Sequence, residues 1–191
     1  MKLVLASTSP FRKQLLQRLG IDFDSDKPDI DESPLQDEDI IDMVVRLAEA
    51  KARAIAERHP DSLIIGSDQS AVLDGEKLSK PGNYDNAFRQ LSRASGKKIV
   101  FQTGLCLLNT ASGSVQSACV PYSVVFRKLS DEMIDDYLRR EQPYNCAGSF
   151  KSEGFGISLF EKLEGDDPNS LIGLPLIRLI AMLDKEGIAI P

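Results

Sequence analysis

The first twenty residues constrain the fold more than any other part of the chain, because they carry a strand, a turn and a helix in direct succession. The apolar run Leu3–Ala6 is typical of a buried strand. Ser9 and Pro10 then form a favoured helix start, and apolar residues recur at helical spacing until Gly20. A Ser/Thr turn between strand and helix leaves backbone N–H groups free, which is a common way to bind an anion.

The rest of the chain alternates between strand patterns and helix patterns. After a possible strand at 22–25, the predicted elements are a helix at about 39–58, a strand at 63–65, a hairpin at 71–75, a helix at 84–94, strands at 99–108 and 115–126, and helices at 130–141 and 173–185. The segment 149–163 is glycine-punctuated and predicted to be partly strand, and no repeat or linker interrupts the pattern. The pattern predicts one α/β domain over residues 1–191, with a mixed, twisted sheet flanked by helices.

Composition excludes several classes of protein. The chain has 23 Lys and Arg against 29 Asp and Glu, and a net charge of −6 disfavours a nucleic-acid binder, although a local basic cluster can still hold a small anion. His59 is the only histidine, so a histidine-rich metal site is excluded, and the three scattered cysteines fit a reducing compartment. No signal peptide or membrane span is recognisable, so we expect a cytoplasmic protein without membrane contact.

Polar turns after strands are where α/β folds place ligands, and two segments fit that description, residues 7–12 and residues 66–69. Asp68 follows an apolar strand, where a carboxylate can bind a divalent cation or deprotonate a water. A turn-capping role for Asp68 explains the local sequence equally well. Nothing resembling a P-loop or a dinucleotide-binding glycine motif is present.

Four further residues are candidates for binding a phosphate or a metal. Arg12 lies in the first turn of a helix, where a cation opposes the helix dipole unless it faces an anion. Lys80 precedes a proline and is therefore held in extended backbone. For Lys51 on the long helix and Glu32 in an acidic loop, a solvent-exposed charge is the simpler explanation from local sequence.

These segments resemble the motifs of one family, the Maf-like nucleotide pyrophosphatases. The matching segments keep the family's order along nearly the whole chain and comprise residues 5–12, 31–32, 51–52, 66–69, 80–81 and 148–154. The resemblance implies a mixed α/β architecture around a deep cleft, of the Maf and inosine-triphosphatase kind. One departure is Leu78-Ser79 before Lys80, where family members often have glycine directly before the lysine.

The resemblance also implies an activity and a set of roles. Members of the family cleave nucleoside triphosphates between the α and β phosphates, with a divalent cation such as Mg, Mn or Co. By carry-over, Asp68 is the base that activates water and, with Glu32, a metal ligand. The implied phosphate-binding residues are Ser7, Arg12, Lys51 and Lys80. Family habit suggests a homodimer.

Three residues resemble the branch of the family that acts on 7-methyl-GTP, namely Phe11, Gln69 and Glu153. Methylation gives the guanine ring a positive charge, and stacking of an aromatic ring on a cation contributes about 0.5–2 kcal/mol. A carboxylate such as Glu153 can pair with that charge and with the N–H donors of the base. Phe11 as a core residue and Glu153 as a surface charge are the simpler alternatives.

Two other functions are compatible with the sequence. The branch that hydrolyses dTTP and UTP carries Arg where this chain has Phe11, and Gln where it has Glu153. A nucleotide-binding regulator of cell division is the alternative that involves no hydrolysis.

Overall fold

The computed structural model describes residues 1–190 and shows a seven-stranded mixed sheet with helices packed against it. The strands are β1 (Lys2–Ala6), β2 (Asp24–Asp26), β3 (Ser62–Leu73), β4 (Glu76–Leu78), β5 (Lys98–Asn109), β6 (Val115–Phe126) and β7 (Phe160–Glu164). The α-helices are α1 (Pro10–Gln17), α2 (Ile40–Ala54), α3 (Tyr84–Ala94), α4 (Asp131–Glu141), α5 (Pro168–Ile172) and α6 (Leu176–Lys185). The strand order is β2-β1-β3-β5-β6-β7, and β4 pairs with β3. The predicted α/β fold with a mixed sheet is confirmed.

Strands β1 and β3 are parallel neighbours, with Leu5 opposite Ile65. Their carboxyl ends therefore point the same way, so the turn that starts at Ser7 lies beside the strand residues that follow Ile65. This register brings the two polar segments of the sequence to one place. Strand β2 is also parallel to β1, and it pairs Asp26 with Ala6.

The chain forms two compact units, and the first comprises residues 1–69, 102–120 and the chain from Asp167 onward. Alternate side chains of β1 enter opposite hydrophobic clusters because successive strand residues point to opposite faces. Leu3 and Leu5 pack with residues of α1 and α6, whereas Val4 and Ala6 pack with residues of α2. Both faces of the parallel strands are thus covered by helices, which explains their continuous apolar runs.

The second unit comprises residues 70–101 and 121–166 and has an aromatic core. The ring of Phe150 meets the rings of Phe101, Phe126 and Phe160 edge to face, at centroid distances of 5.5, 5.5 and 4.9 Å. Edge-to-face packing places the positive edge of one ring on the negative face of the next. Phe150 lies in the glycine-punctuated segment, so this cluster fixes the backbone next to Lys151 and Glu153.

The main correction to the predicted elements concerns β3. The sequence predicts a strand that ends at Ile65 and a polar turn at residues 66–69, but the strand runs unbroken from Ser62 to Leu73. The polar side chains of Ser67 and Asp68 are buried yet bonded, so their polarity does not end the strand. Asp68 is therefore not a turn-capping residue.

Smaller differences occur at helix ends. Helix α2 ends at Ala54 and is followed by a separate 3-10 turn, Ala56–Arg58. The short helix α5, which the sequence does not predict, ends at Ile172 with Gly173 as its C-cap. The 149–163 segment, predicted to be partly strand, contains one 3-10 helix, Phe155–Leu159, before β7 begins. No helix within residues 1–190 is long and apolar enough to cross a membrane.

Candidate functional site

Helix α2 lies against the sheet with its backbone in direct contact with two strand glycines. A methyl group on Gly66 would lie 2.0 Å from the carbonyl oxygen of Ala48, and one on Gly104 would lie 2.0 Å from that of Val44. Only glycine fits at either position. Lys51 is three residues beyond Ala48 and so lies on the same helix face, directed at the sheet. The glycine contacts thus set how close Lys51 comes to β3.

The ammonium group of Lys51 joins two carboxylates. Its Nζ lies 2.6 Å from Oδ1 of Asp68 and 2.8 Å from Oε1 of Glu32. The side chains of Lys51 and Asp68 are only 8% and 12% exposed, whereas Glu32 is 59% exposed. A buried charge of either sign requires such a partner. The solvated-face interpretation of Lys51 is therefore wrong, and the acidic loop of Glu32 comes close to the buried pair.

The Ser/Thr turn ahead of α1 is ordered by its own hydroxyl groups. Ser7 Oγ accepts a hydrogen bond from the backbone N–H of Ser9 at 3.1 Å. Ser9 is the predicted N-cap, and its Oγ accepts from the backbone N–H of Arg12 at 3.4 Å. These bonds fix the first turn of α1, from which Phe11 and Arg12 extend. Both of these residues are half-buried.

The guanidinium group of Arg12 is held at one atom and lies near the buried carboxylate. Its Nε donates to the carbonyl oxygen of Gly173 at 2.8 Å. Burial lowers the pKa of Arg12 from its ordinary value, while the charges of Asp68 and Glu32 raise it. Arg12, Lys51, Glu32 and Asp68 therefore form one charged cluster in the first unit, to which Ser7 is joined by the β1–β3 register.

Gln69 points to the opposite face of β3 from Asp68, as expected for adjacent strand residues. Its Nε2 donates to the carbonyl oxygen of Ser170 at 2.6 Å and to Oγ1 of Thr103 at 3.0 Å. Ser67, on the same face as Gln69, donates from Oγ to the carbonyl oxygen of Gly173 at 2.9 Å. Sequence reasoning assigned no role to Ser67, although it lies in the matching segment 66–69, and missed Thr103, which lies in no motif.

Lys80 and Glu153 belong to the second unit, and both are exposed. Oε2 of Glu153 accepts a hydrogen bond from Ser152 Oγ at 3.3 Å. Burial raises the pKa of the Cys146 thiol, the charge of Lys151 lowers it, Glu153 raises it and Lys80 lowers it. Lys80 and Glu153 thus belong to a different unit from the charged cluster around Lys51.

The residues whose chemistry could hold a metal are the two carboxylates that meet at Lys51, Glu32 and Asp68. Within residues 1–190, no group of three or more His, Cys, Asp or Glu side chains is arranged to hold a metal ion. Magnesium is often bound by one or two carboxylates, with phosphate oxygens and waters as its other ligands. Glu32 and Asp68 fit that pattern, since both are hard oxygen donors that already converge on a positive charge.

Comparison with known proteins adds independent findings. The family model described as Maf-like protein matches residues 2–186. A curated protein of Alcanivorax borkumensis named 7-methyl-GTP pyrophosphatase is 58% identical over 189 residues, which cover 99% of this chain and 96% of that protein. A protein of Nitrosococcus oceani with the same name is 54% identical over 185 residues, which cover 97% of this chain and 93% of the relative.

Proposed function

Because this chain belongs to the Maf-like protein family, we infer that it is a nucleoside triphosphate pyrophosphatase that hydrolyses 7-methyl-GTP to 7-methyl-GMP and pyrophosphate. The observation that carries the inference is the pairing of Lys51 with Asp68, a buried carboxylate held by a cation in the middle of a charged cluster. Two relatives named for this activity are each identical to this chain at more than half of the aligned positions. The fold and the chemistry of the cluster both fit the same reaction.

The reaction requires a base, and Asp68 is the residue we assign. A water oxygen forms a bond to the α phosphorus while the bond from that phosphorus to the bridging oxygen breaks. The pyrophosphate leaves with the bridging oxygen, and Asp68 takes the proton of the water. Such a step depends on positioning and charge neutralisation more than on covalent chemistry. Contact with Lys51 limits the side-chain freedom of Asp68, which favours a fixed direction for the proton transfer.

We assign phosphate binding to the positively charged side chains and the serine hydroxyl group of the matching motifs. Arg12 and Lys51 supply positive charge within the first unit, and Ser7 supplies a hydroxyl group at the start of α1. Lys80 is assigned from the motif it shares with the family. Arginine can bind phosphate with two nitrogens at once, whereas lysine acts as a point charge.

A divalent cation is part of the proposal, with Glu32 and Asp68 as its protein ligands. When bound, it neutralises charge on the phosphate oxygens and orients the attacking water. Magnesium, manganese and cobalt are the candidates.

Recognition of the base is assigned to Phe11, Gln69 and Glu153. The face of Phe11 can stack on the cationic methylated ring, and Glu153 can pair with its charge and its N–H groups. An arginine at position 11 would repel the same ring. We further propose that the protein is cytoplasmic, forms a homodimer and does not act on nucleic acid.

The test is a panel of nucleotides assayed for pyrophosphate release with magnesium, manganese or cobalt. We expect kcat/KM for 7-methyl-GTP to exceed that for dTTP and UTP by at least about tenfold. Preference for the pyrimidines would establish the other branch of the family. Tight nucleotide binding without pyrophosphate release under every metal would instead favour the regulator.

A further inference from the structure

One backbone segment of the first unit, residues 167–177, accepts hydrogen bonds from the side chains of two predicted site residues, Arg12 and Gln69. The carbonyl oxygen of Gly173 accepts from Arg12 Nε at 2.8 Å and from Ser67 Oγ at 2.9 Å. The carbonyl oxygen of Ser170 accepts from Gln69 Nε2 at 2.6 Å. The directions of Arg12 and Gln69 therefore depend on where this segment places its carbonyl groups.

The segment is anchored by Asp167, a carboxylate with 2% exposure. Its Oδ1 accepts from the backbone N–H of Asn169 at 2.9 Å and from Asn169 Nδ2 at 2.8 Å. Its Oδ2 accepts from the backbone N–H of Ile177 at 2.7 Å. A buried carboxylate with several N–H donors holds those donors in place, because losing it would leave them without partners.

These bonds make Asp167 the cap of two successive helices. It is the N-cap of α5, and it also binds the second residue of α6. Helix α6 begins after Pro175, whose side chain makes no capping hydrogen bond. The carboxylate of Asp167, ten residues upstream, takes over that role and favours both helix N-termini electrostatically.

Gly173, at the junction between α5 and α6, has a backbone conformation suited to glycine. Its φ is +122°, and a methyl group there would lie 3.5 Å from Arg12 Nε. The carbonyl group that binds Arg12 is thus fixed on one side by α5 and on the other by the start of α6. Asn169 adds a second link to α1, since its Oδ1 accepts from Arg18 Nη1 at 3.0 Å.

We propose that Asp167 is a positioning residue, which fixes the Gly173 carbonyl group so that Arg12 is held by Nε and directs its two terminal nitrogens at the phosphates. Asp167 touches neither substrate nor metal, and its effect on the phosphates is transmitted through Arg12. Holding the guanidinium group at Nε leaves the paired donors of its fork available for an anion. This inference rests on the proposed function, in which Arg12 binds phosphate.

The test is a double-mutant cycle of Asp167→Asn and Arg12→Lys, read out by the inhibition constant of pyrophosphate and the KM for 7-methyl-GTP. Lysine has no Nε–H, so it cannot use the Gly173 carbonyl group in the same way. We expect Asp167→Asn to weaken pyrophosphate binding by about tenfold in the Arg12 background. In the Arg12→Lys background the same change should have less than about a twofold effect.

Asp166→Asn is the matched control, because it removes the neighbouring, exposed carboxylate and should leave both constants unchanged. An equal effect of Asp167→Asn in both backgrounds would reduce Asp167 to a general stabilising residue and overturn the proposal. If Asp167→Asn fails to fold, Gly173→Ala takes its place in the cycle, with the same expectation of coupling to Arg12.

Failure of the proposed function is distinguishable from failure of this inference. Absence of pyrophosphate release by the wild-type protein on every nucleotide would reject the function. Calorimetric titration with pyrophosphate alone would still measure the coupling between Asp167 and Arg12. Independent fold-changes in that titration would reject the positioning role, whatever the wild-type protein hydrolyses.

Discussion

The Nζ of Lys51 lies 2.6 Å from Oδ1 of Asp68, so a helix residue and a strand residue seventeen positions apart form a buried ion pair. The same ammonium group contacts Glu32, which is largely exposed. One cation thus joins a buried carboxylate to a loop that solvent and ligands can reach.

Replacement of Asp68 by asparagine should remove turnover and leave binding. Asparagine keeps the shape and an oxygen for Lys51 but cannot accept the proton of the attacking water. We expect kcat to fall by about 10²- to 10⁴-fold, as is usual for the loss of a general base. Nucleotide affinity, measured by calorimetry, should change by less than about threefold.

Asp61→Asn is a suitable comparison for that experiment, because Asp61 is exposed and precedes β3. Its left-handed backbone, with a φ of 51°, also suits asparagine. Unchanged kcat in Asp68→Asn would remove Asp68 from the role of base.

Replacement of Lys51 by methionine should affect both stability and phosphate binding. The change leaves Asp68 buried without the ammonium group, and breaking a buried pair in this way costs on the order of 3 kcal/mol in free energy of unfolding. The KM for 7-methyl-GTP should rise as well. Lys13→Met, at an exposed position of α1, should alter neither the urea midpoint nor KM.

Replacement of Gly66 by alanine should displace α2 from the sheet. The added methyl group would meet the carbonyl oxygen of Ala48 at 2.0 Å, and that oxygen belongs to rigid helix backbone. We expect a loss of at least about 2 kcal/mol in free energy of unfolding. Gly20→Ala provides the comparison, since Gly20 has a φ of +65° but nothing within 4 Å of the added methyl group.

Gly20→Ala should therefore cost only about 1 kcal/mol, from its backbone conformation alone. Equal losses in the two variants would show that α2 can yield without penalty. Activity provides a second readout, because only Gly66→Ala is expected to move Lys51 relative to Asp68.

Exchange of Phe11→Arg together with Glu153→Gln should shift the substrate preference toward pyrimidine triphosphates. An arginine repels the methylated ring, and a glutamine lacks the charge that would pair with it. We expect the ratio of kcat/KM for 7-methyl-GTP to that for UTP to fall by at least about tenfold. Each single variant serves as the control, and an unchanged ratio in the double variant would contradict the assignment of both residues.

Stability at low pH should depend on Asp26. Hydrogen bonds from Arg58 and then His59 lower the pKa of Asp26 to about 2. A carboxylate whose pKa is lowered in the folded state stabilises the fold above its unfolded pKa of about 3.9, and that contribution disappears as the pH falls toward about 2. The stabilising effect is therefore complete near neutral pH.

Urea unfolding of the wild type and Asp26→Asn across this acidic range checks the expectation. The difference in free energy of unfolding between the two proteins should shrink as the pH falls. Asp24→Asn provides a control in the same strand, since Asp24 is exposed. A constant difference between wild type and Asp26→Asn would contradict the lowered pKa.

Local signals predicted those elements that depend on neighbouring residues. The residue pattern at Tyr84–Ala94 and the long apolar pattern at Val115–Phe126 gave the bounds that the structure has. Ser9 caps α1 as expected, because a capping side chain bonds within its own turn, and Ser130 caps α4 at the predicted start of that helix.

Features that depend on distant residues were not predictable in the same way. Gly66 looks like the start of a turn, and only the approach of Ala48 on a separate helix shows why a glycine belongs in the strand. Helix α5, which Asp167 caps, is too short to leave an apolar period in the sequence, and the bond from Ile177 to Asp167 requires the chain to fold back. The partners of Lys51 could be placed only through the family motifs, because its position on α2 by itself favours solvent exposure.

At Gly66 and Gly104, the surfaces in contact are main chain on both sides. Every amino acid supplies those same main-chain atoms, so substitutions elsewhere along the helix can accumulate without changing how far the lysine reaches. The distance between Lys51 and Asp68 is thereby set by two positions that carry no side chain. Divergent descendants of this chain could replace most of the helix surface and still present the same cation to the same carboxylate.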